Sequence, residues 1–118
     1  MIDMTKKTRK KLNEAIQKGV TLIDFNAPWC EPCRAQETVI QELEKAYGSR
    51  ATIASLNIDE NQKVAMQLGI QSIPTLILYR EGREIGRFIG LQSKETLARA
   101  IGAAIAQAAT RVQSRHSD

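Results

Sequence analysis

The stretch Val20-Thr21-Leu22-Ile23-Asp24-Phe25-Asn26-Ala27-Pro28-Trp29-Cys30-Glu31-Pro32-Cys33 decides how the chain is read. Val20–Phe25 is almost continuously apolar, the pattern of a strand with helices covering both faces of its sheet. Asn26–Trp29 reads as a loop. A helix is expected from about Cys30 or Glu31 to Tyr47, with Val39, Ile40, Leu43, Ala46 and Tyr47 on its apolar face and Gly48 as its stop. The two cysteines of the chain therefore fall where a helix begins.

That position has chemical consequences. The first turn of a helix presents unpaired N–H groups and a partial positive charge. Both favour a thiolate, the attacking species in disulfide exchange. With two residues between them, both sulfurs meet at the helix start. One attacks a substrate disulfide, and the other breaks the resulting mixed disulfide. Cys30, at the exposed N-terminal edge, is assigned as nucleophile and Cys33 as the buried resolving thiol. Pro32 suits the first helical turn, where its missing N–H costs nothing, and its fixed φ stiffens the segment.

Outward from this core the elements alternate. Residues 5–19 look helical, with Leu12, Ala15 and Ile16 on one face and Gly19 as a stop; the signal for a short strand at Ile2–Met4 is poor. Thr52–Ile58 reads as a strand with Ala54, Leu56 and Ile58 on one side. Asp59-Glu60-Asn61 offers helix caps for a short helix ending near Leu68. Thr75–Arg80 and Arg83–Ile89 form an antiparallel hairpin around Glu81-Gly82. Ser93 caps a last helix whose face is Leu97, Ile101, Ala104, Ile105 and Ala108, and a polar tail expected to fray begins at Thr110. The alternation favours parallel pairing with right-handed crossovers, closed by the hairpin.

The bulk properties exclude several classes. At 118 residues and 42% hydrophobic, the chain fits one domain, and no stretch is long enough to span a membrane. Behind the basic N-terminus there is no apolar segment and no small-residue cleavage site, so a cytoplasmic location is expected. Of the 17 Lys and Arg, five (Lys6, Lys7, Arg9, Lys10 and Lys11) crowd one short segment, and the others nearly balance the 13 acids. That cluster could touch nucleic acid or an acidic partner, but no aromatic residues interleave it, and a solvated helix face is favoured. Zinc, the main rival for a C-x-x-C pair, needs four ligands where the chain offers two cysteines and His116. A zinc site shared across a dimer and a pair of inert buried cysteines are the remaining alternatives.

Asp24–Arg34 closely resembles the active-site region of thioredoxins. Gly69-Ile70-Gln71-Ser72-Ile73-Pro74-Thr75-Leu76 is similar to the family's segment around its cis-proline, and Asn57–Asn61, Gly82 and Gly90 fall at family spacing. The resemblance covers roughly residues 20–107. It implies that Cys30 attacks, Cys33 resolves, Trp29 flanks the dithiol, and Pro74 is the cis-proline beside it. It also implies that Ile73 and Gly90 line the groove for a substrate peptide. Asp24 is a charge inside an apolar strand, costly to bury unless paired or protonated. It could simply face a polar edge; the favoured reading is the family's buried acid, which exchanges a proton with the resolving cysteine and whose pKa burial should raise.

Four positions depart from the family pattern. Glu31 stands where glycine is usual, so a carboxylate beside the dithiol is expected to shift the reduction potential and favour basic contact surfaces, with Arg34 offsetting it. Ser55 replaces a lysine near the acid, which should make Asp24 easier to protonate. Asn26 replaces a frequent tryptophan. Thr38 replaces a helix-kinking proline, which leaves the long helix straighter.

The expected fold is α/β, a thioredoxin fold with a central mixed four- to five-stranded sheet flanked by helices, in a single domain over residues 1–118. The expected function is protein-disulfide reduction through Cys30 and Cys33, with no metal or bound cofactor. The partners implied are disulfide-containing targets and a thioredoxin reductase, with no nucleic acid and no membrane, and the chain is expected to be a monomer. The alternatives are a redox protein serving a single target and a thioredoxin-like interaction module.

Overall fold

The computed structural model describes residues 2–3 and 9–117. Its elements are β1 (Ile2–Asp3), α1 (Arg9–Ile16), β2 (Val20–Asn26), α2 (Glu31–Tyr47), β3 (Ala51–Asn57), α3 (Gln62–Gln67), β4 (Thr75–Arg80), β5 (Arg83–Ile89) and α4 (Lys94–Ser117). The described strands form one mixed sheet in the order β1-β3-β2-β4-β5. β1 and β2 run parallel to β3, β4 runs antiparallel to β2, and β5 runs antiparallel to β4.

β2 reads as a continuous apolar run because it lies at the centre of the sheet and both its faces are covered. Val20 and Leu22 pack with Ile40 and Leu43 of α2 and Leu97 and Ile101 of α4. Ile23 and Phe25 point the other way, against Leu12 and Ile16 of α1 and Val64 of α3. Fully burying each such side chain contributes about 1.5–3 kcal/mol. The two clusters fix the register that sets Asp24 opposite Ser55 on one side and Leu76 on the other.

Several boundaries differ from those the sequence suggests. α1 ends at Ile16, short of Gly19, because the hairpin turn takes its end: the Gly82 N–H donates to Ile16 O at 2.9 Å, and the Glu81 N–H donates to Gly19 O at 2.9 Å. Residues 5–8 of the expected helix, and Met4 of the expected first strand, lie outside the described residues. β3 starts and stops one residue early, so Ile58 sits past the strand, half-buried. Asn61 stands at the N-cap of α3 without a capping side-chain bond, because its Nδ2 donates to Asn57 O at 2.9 Å. Ala46, expected on the apolar face of α2, is exposed, and Gln36 is buried there instead.

The largest correction is at the C-terminus. α4 runs on through Ser117, where fraying from Thr110 was expected. The physical reason lies in the composition: no Gly or Pro follows Gly102, and alanine, the best helix former, recurs through Ala109. The side chain of Ala108 lies outside the described part. The start of the helix is as expected, with Ser93 Oγ accepting from the Thr96 N–H at 3.1 Å.

Candidate active site

The end of β2 and the start of α2 bring the sulfurs together. Cys30 and Cys33 form a disulfide with a Cα–Cα distance of 5.3 Å. Cys30 has extended backbone geometry at the N-cap of α2, and its Sγ accepts the Cys33 N–H at 3.2 Å. This is the contact a Ser or Asp side chain makes at a helix start, with sulfur in place of oxygen. It directs one of the orphan N–H donors of the first turn at the sulfur that would carry charge. Pro32 lies within that turn.

Exposure does not separate the two cysteines as expected. Cys30 is 4% and Cys33 5% exposed, because the disulfide is packed with Ala27, Ile58 and Ile73. Their surroundings do separate them. Cys30 Sγ lies 3.8 Å from Ile73 O, on the side that carries the cis Ile73–Pro74 bond. Cys33 lines a cavity of about 280 Å³ on the other side, with Asp24, Asn26, Glu37, Ser55 and Asn57.

On the Ile73 side, loops meet beside the disulfide. Pro74 O accepts the Gly90 N–H at 2.8 Å, which ties the cis-proline loop to the end of β5. Gly90 has φ +90°, and a side chain there would point into open space. Glycine adopts that backbone angle without the strain a side chain would bring. Trp29 is 67% exposed, and its indole Nε1 donates to Asp59 Oδ2 at 2.8 Å. Ile89 and Leu91, on either side of Gly90, are exposed apolar residues. Glu31 and Arg34 are exposed on the first turns of α2, and an Arg34 guanidinium nitrogen lies 3.5 Å from Pro28 O.

On the cavity side, Asp24 is 2% exposed. Burial pushes its carboxyl up to about 7. A hydrogen bond from Asn26 works against that rise, and the nearby Glu37 charge adds to it. The Asn26 Nδ2 donor lies 3.4 Å from Asp24 Oδ2, while Oδ1 has no partner among the described residues. Asn26, noted in the sequence only as a departure, thus contacts the buried acid.

Sequence reasoning missed Gln36, Glu37, Gln92, Ile89 and Leu91. A glutamine three residues after Cys33 on a helix whose partner face is apolar was the available signal for Gln36. Glu37, four residues after Cys33, shares its helix face. The large apolar residues flanking Gly90 were the signal for Ile89 and Leu91.

A disulfide at a helix N-cap, closing within a single turn and set at the edge of a mixed sheet beside a cis-proline, defines a protein of dithiol–disulfide exchange. The thioredoxin family model matches residues 3–103, and the chain belongs to the thioredoxin family. It is 49% identical over 91 residues to the thioredoxin of Alicyclobacillus acidocaldarius, covering 76% of this chain and 87% of that one. It is 40% identical over 98 residues to that of Staphylococcus saprophyticus, covering 83% and 94%. Among solved structures, a mutant thioredoxin from Halobacterium salinarum superimposes with a TM-score of 0.79 at 30% identity, covering 88% of this chain and 89% of that one. The chain is a thiol–disulfide oxidoreductase whose redox group is its own cysteine pair, and its family acts on disulfide-containing protein targets.

Proposed function

We propose that the chain, as a single domain over residues 1–118, reduces protein disulfides and that its site residues divide the work as follows. The Cys30 thiolate attacks one sulfur of a target disulfide. The target S–S bond breaks, and a Cys30–target bond forms. Cys33, having given its proton to Asp24, attacks Cys30 Sγ and expels the target thiolate. The target leaves with both sulfurs reduced, and the Cys30–Cys33 disulfide remains. A thioredoxin reductase restores the dithiol.

The observation that carries this reading is the Cys33 N–H directed at Cys30 Sγ at the N-cap of α2. That donor acts on Cys30 and not on Cys33, which supports Cys30 as the nucleophile. Trp29, Ile73, Pro74 and Gly90 form the groove that receives the target backbone, and Pro32 stiffens the turn between the sulfurs. Glu31 and Arg34 adjust the potential and the charge of the rim. The protein works as a cytoplasmic monomer, without nucleic acid or membrane. No helix among the described residues is long and apolar enough to cross a bilayer.

Dithiothreitol-driven reduction of insulin tests the activity. We expect rapid reduction by the parent and reduction at the uncatalysed rate with Cys30→Ser. Equal rates for the two proteins overturn the reading. Equilibration with a glutathione buffer tests the direction, and a potential well below that of the buffer is expected for a reductant.

A further inference from the structure

The inference that follows rests on the reading of Asp24 as proton partner of Cys33. Asn26 lies two residues beyond Asp24 on the same face of β2. Its Nδ2 donates to Asp24 Oδ2 at 3.4 Å and to Asp24 O at 3.3 Å. The other carboxylate oxygen, Oδ1, is buried without a partner among the described residues. Asp24 and Cys33 line one cavity.

The groups facing Asp24 come from every neighbouring element. α2 supplies Cys33, Arg34 and Glu37, and β3 supplies the uncharged Ser55 and Asn57. β4 sets Leu76 beside it, and no described residue of α4 lines the cavity. Cys33 and Glu37 are four residues apart on α2 and so share a face. Glu37 is exposed, so it stands where the cavity meets solvent. The Arg34 guanidinium reaches instead to Pro28 O at 3.5 Å.

We propose that Asn26 and Glu37 are opposed positioning residues for proton exchange between Asp24 and Cys33. The Asn26 amide donates to Oδ2, which favours the ionised carboxyl, while Oδ1 has no partner among the described residues. The Glu37 carboxylate at the cavity mouth favours the protonated form by like-charge repulsion. Neither touches the sulfurs. Burial brings the Asp24 carboxyl near neutrality, and the two residues adjust it in opposite directions, so that the group can accept a proton from Cys33 in one half of the cycle and return it in the other. The Asn26 bond lowers the proton affinity of the carboxyl and the Glu37 charge raises it.

The test uses the disulfide form, in which neither cysteine titrates. The 13C shift of the Asp24 carboxyl is followed against pH in the parent, Asn26→Leu, Glu37→Gln and Glu37→Asp. We expect the Asn26→Leu midpoint to rise and the Glu37→Gln midpoint to fall, each by about half a pH unit or more, with Glu37→Asp near the parent. Both midpoints within about 0.2 pH unit of the parent, or both moving the same way, overturn the inference. Glu37 is exposed, so Glu37→Gln carries the test alone if Asn26→Leu folds poorly. A parallel single-turnover reduction of insulin with Asp24→Asn separates the two levels. An unchanged rate removes the role of Asp24 and this inference with it, whereas a slowed rate with immobile midpoints removes this inference only.

Discussion

Gln36 and Gln92 are joined by two hydrogen bonds through one side chain: the Gln36 amide donates to Gln92 O at 3.1 Å, and its Oε1 accepts the Gln92 N–H at 2.7 Å. Gln36 is fully buried on α2, three residues after Cys33, and Gln92 follows Gly90 by two. The Gln92 side chain donates in turn to Gly90 O at 3.2 Å. The helix that carries the dithiol is thereby fastened to the loop that follows Gly90.

Replacing Gln36 with leucine strands both backbone groups of Gln92. We expect a loss of about 1–3 kcal/mol in folding stability, read by urea denaturation. We also expect slower reduction of insulin, with little change in reaction with dithiothreitol, because the loop after Gly90 loosens while the sulfurs keep their geometry. Unchanged stability would show that water satisfies Gln92 equally well.

Asp24→Asn should change how stability depends on pH. The native carboxyl keeps its proton up to about 7, against an ordinary value of 3.8. Between about pH 4 and about pH 7 the unfolded chain therefore binds fewer protons than the native one, and parent stability falls as pH rises. Integrated over that interval, the penalty is about 4 kcal/mol and is fully present above the native value. Asp24→Asn removes the slope, so at pH 8 the variant is more stable than the parent, by up to that amount, while it reduces disulfides more slowly. Denaturation at pH 4 and pH 8, with the disulfide intact, checks the sign.

Gly90→Val tests the groove. The added side chain would enter open space but would have to adopt φ near +90°, which strains a branched residue. We expect reduction of protein targets to fall at least tenfold while reaction with dithiothreitol persists. Equal losses for both substrates would place the defect in the sulfur chemistry and not in docking.

Glu31→Gly addresses the charged rim. Glu31 is exposed in the first turn of α2. Its effect on the potential is expected to be modest, and its effect on basic targets larger and sensitive to salt. The comparison needs one basic and one acidic disulfide peptide at low and at physiological ionic strength. Identical potentials and identical peptide rates would show Glu31 to be a solvated side chain without influence.

Much of this was legible in the chain. The continuous apolar run at Val20–Phe25 identified a strand covered on both faces, and the C-x-x-C spacing after it located the dithiol at a helix start. Ser93, Glu81-Gly82 and the periodicity of Leu97, Ile101 and Ala104 gave the last three elements. The rest was hidden for physical reasons. Where α1 ends depends on bonds from a hairpin more than sixty residues away. The burial of Gln36 depends on a backbone partner in another loop, which helical periodicity does not encode. The contact of Asn26 with Asp24 follows from both residues projecting to one face of β2, but only the covering helix turned that face into a cavity. The near-equal burial of Cys30 and Cys33 reflects packing by Ala27, Ile58 and Ile73, three segments that meet only in the folded chain.

The most direct test of the whole account is the pH dependence of iodoacetamide alkylation in the reduced protein, with the modified cysteine located by mass spectrometry. A helix start that holds one sulfur ionised predicts that Cys30 reacts first and is half-ionised well below about 8.5, the value of a free cysteine. Equal reactivity of Cys30 and Cys33, with a midpoint at or above that value, would contradict it.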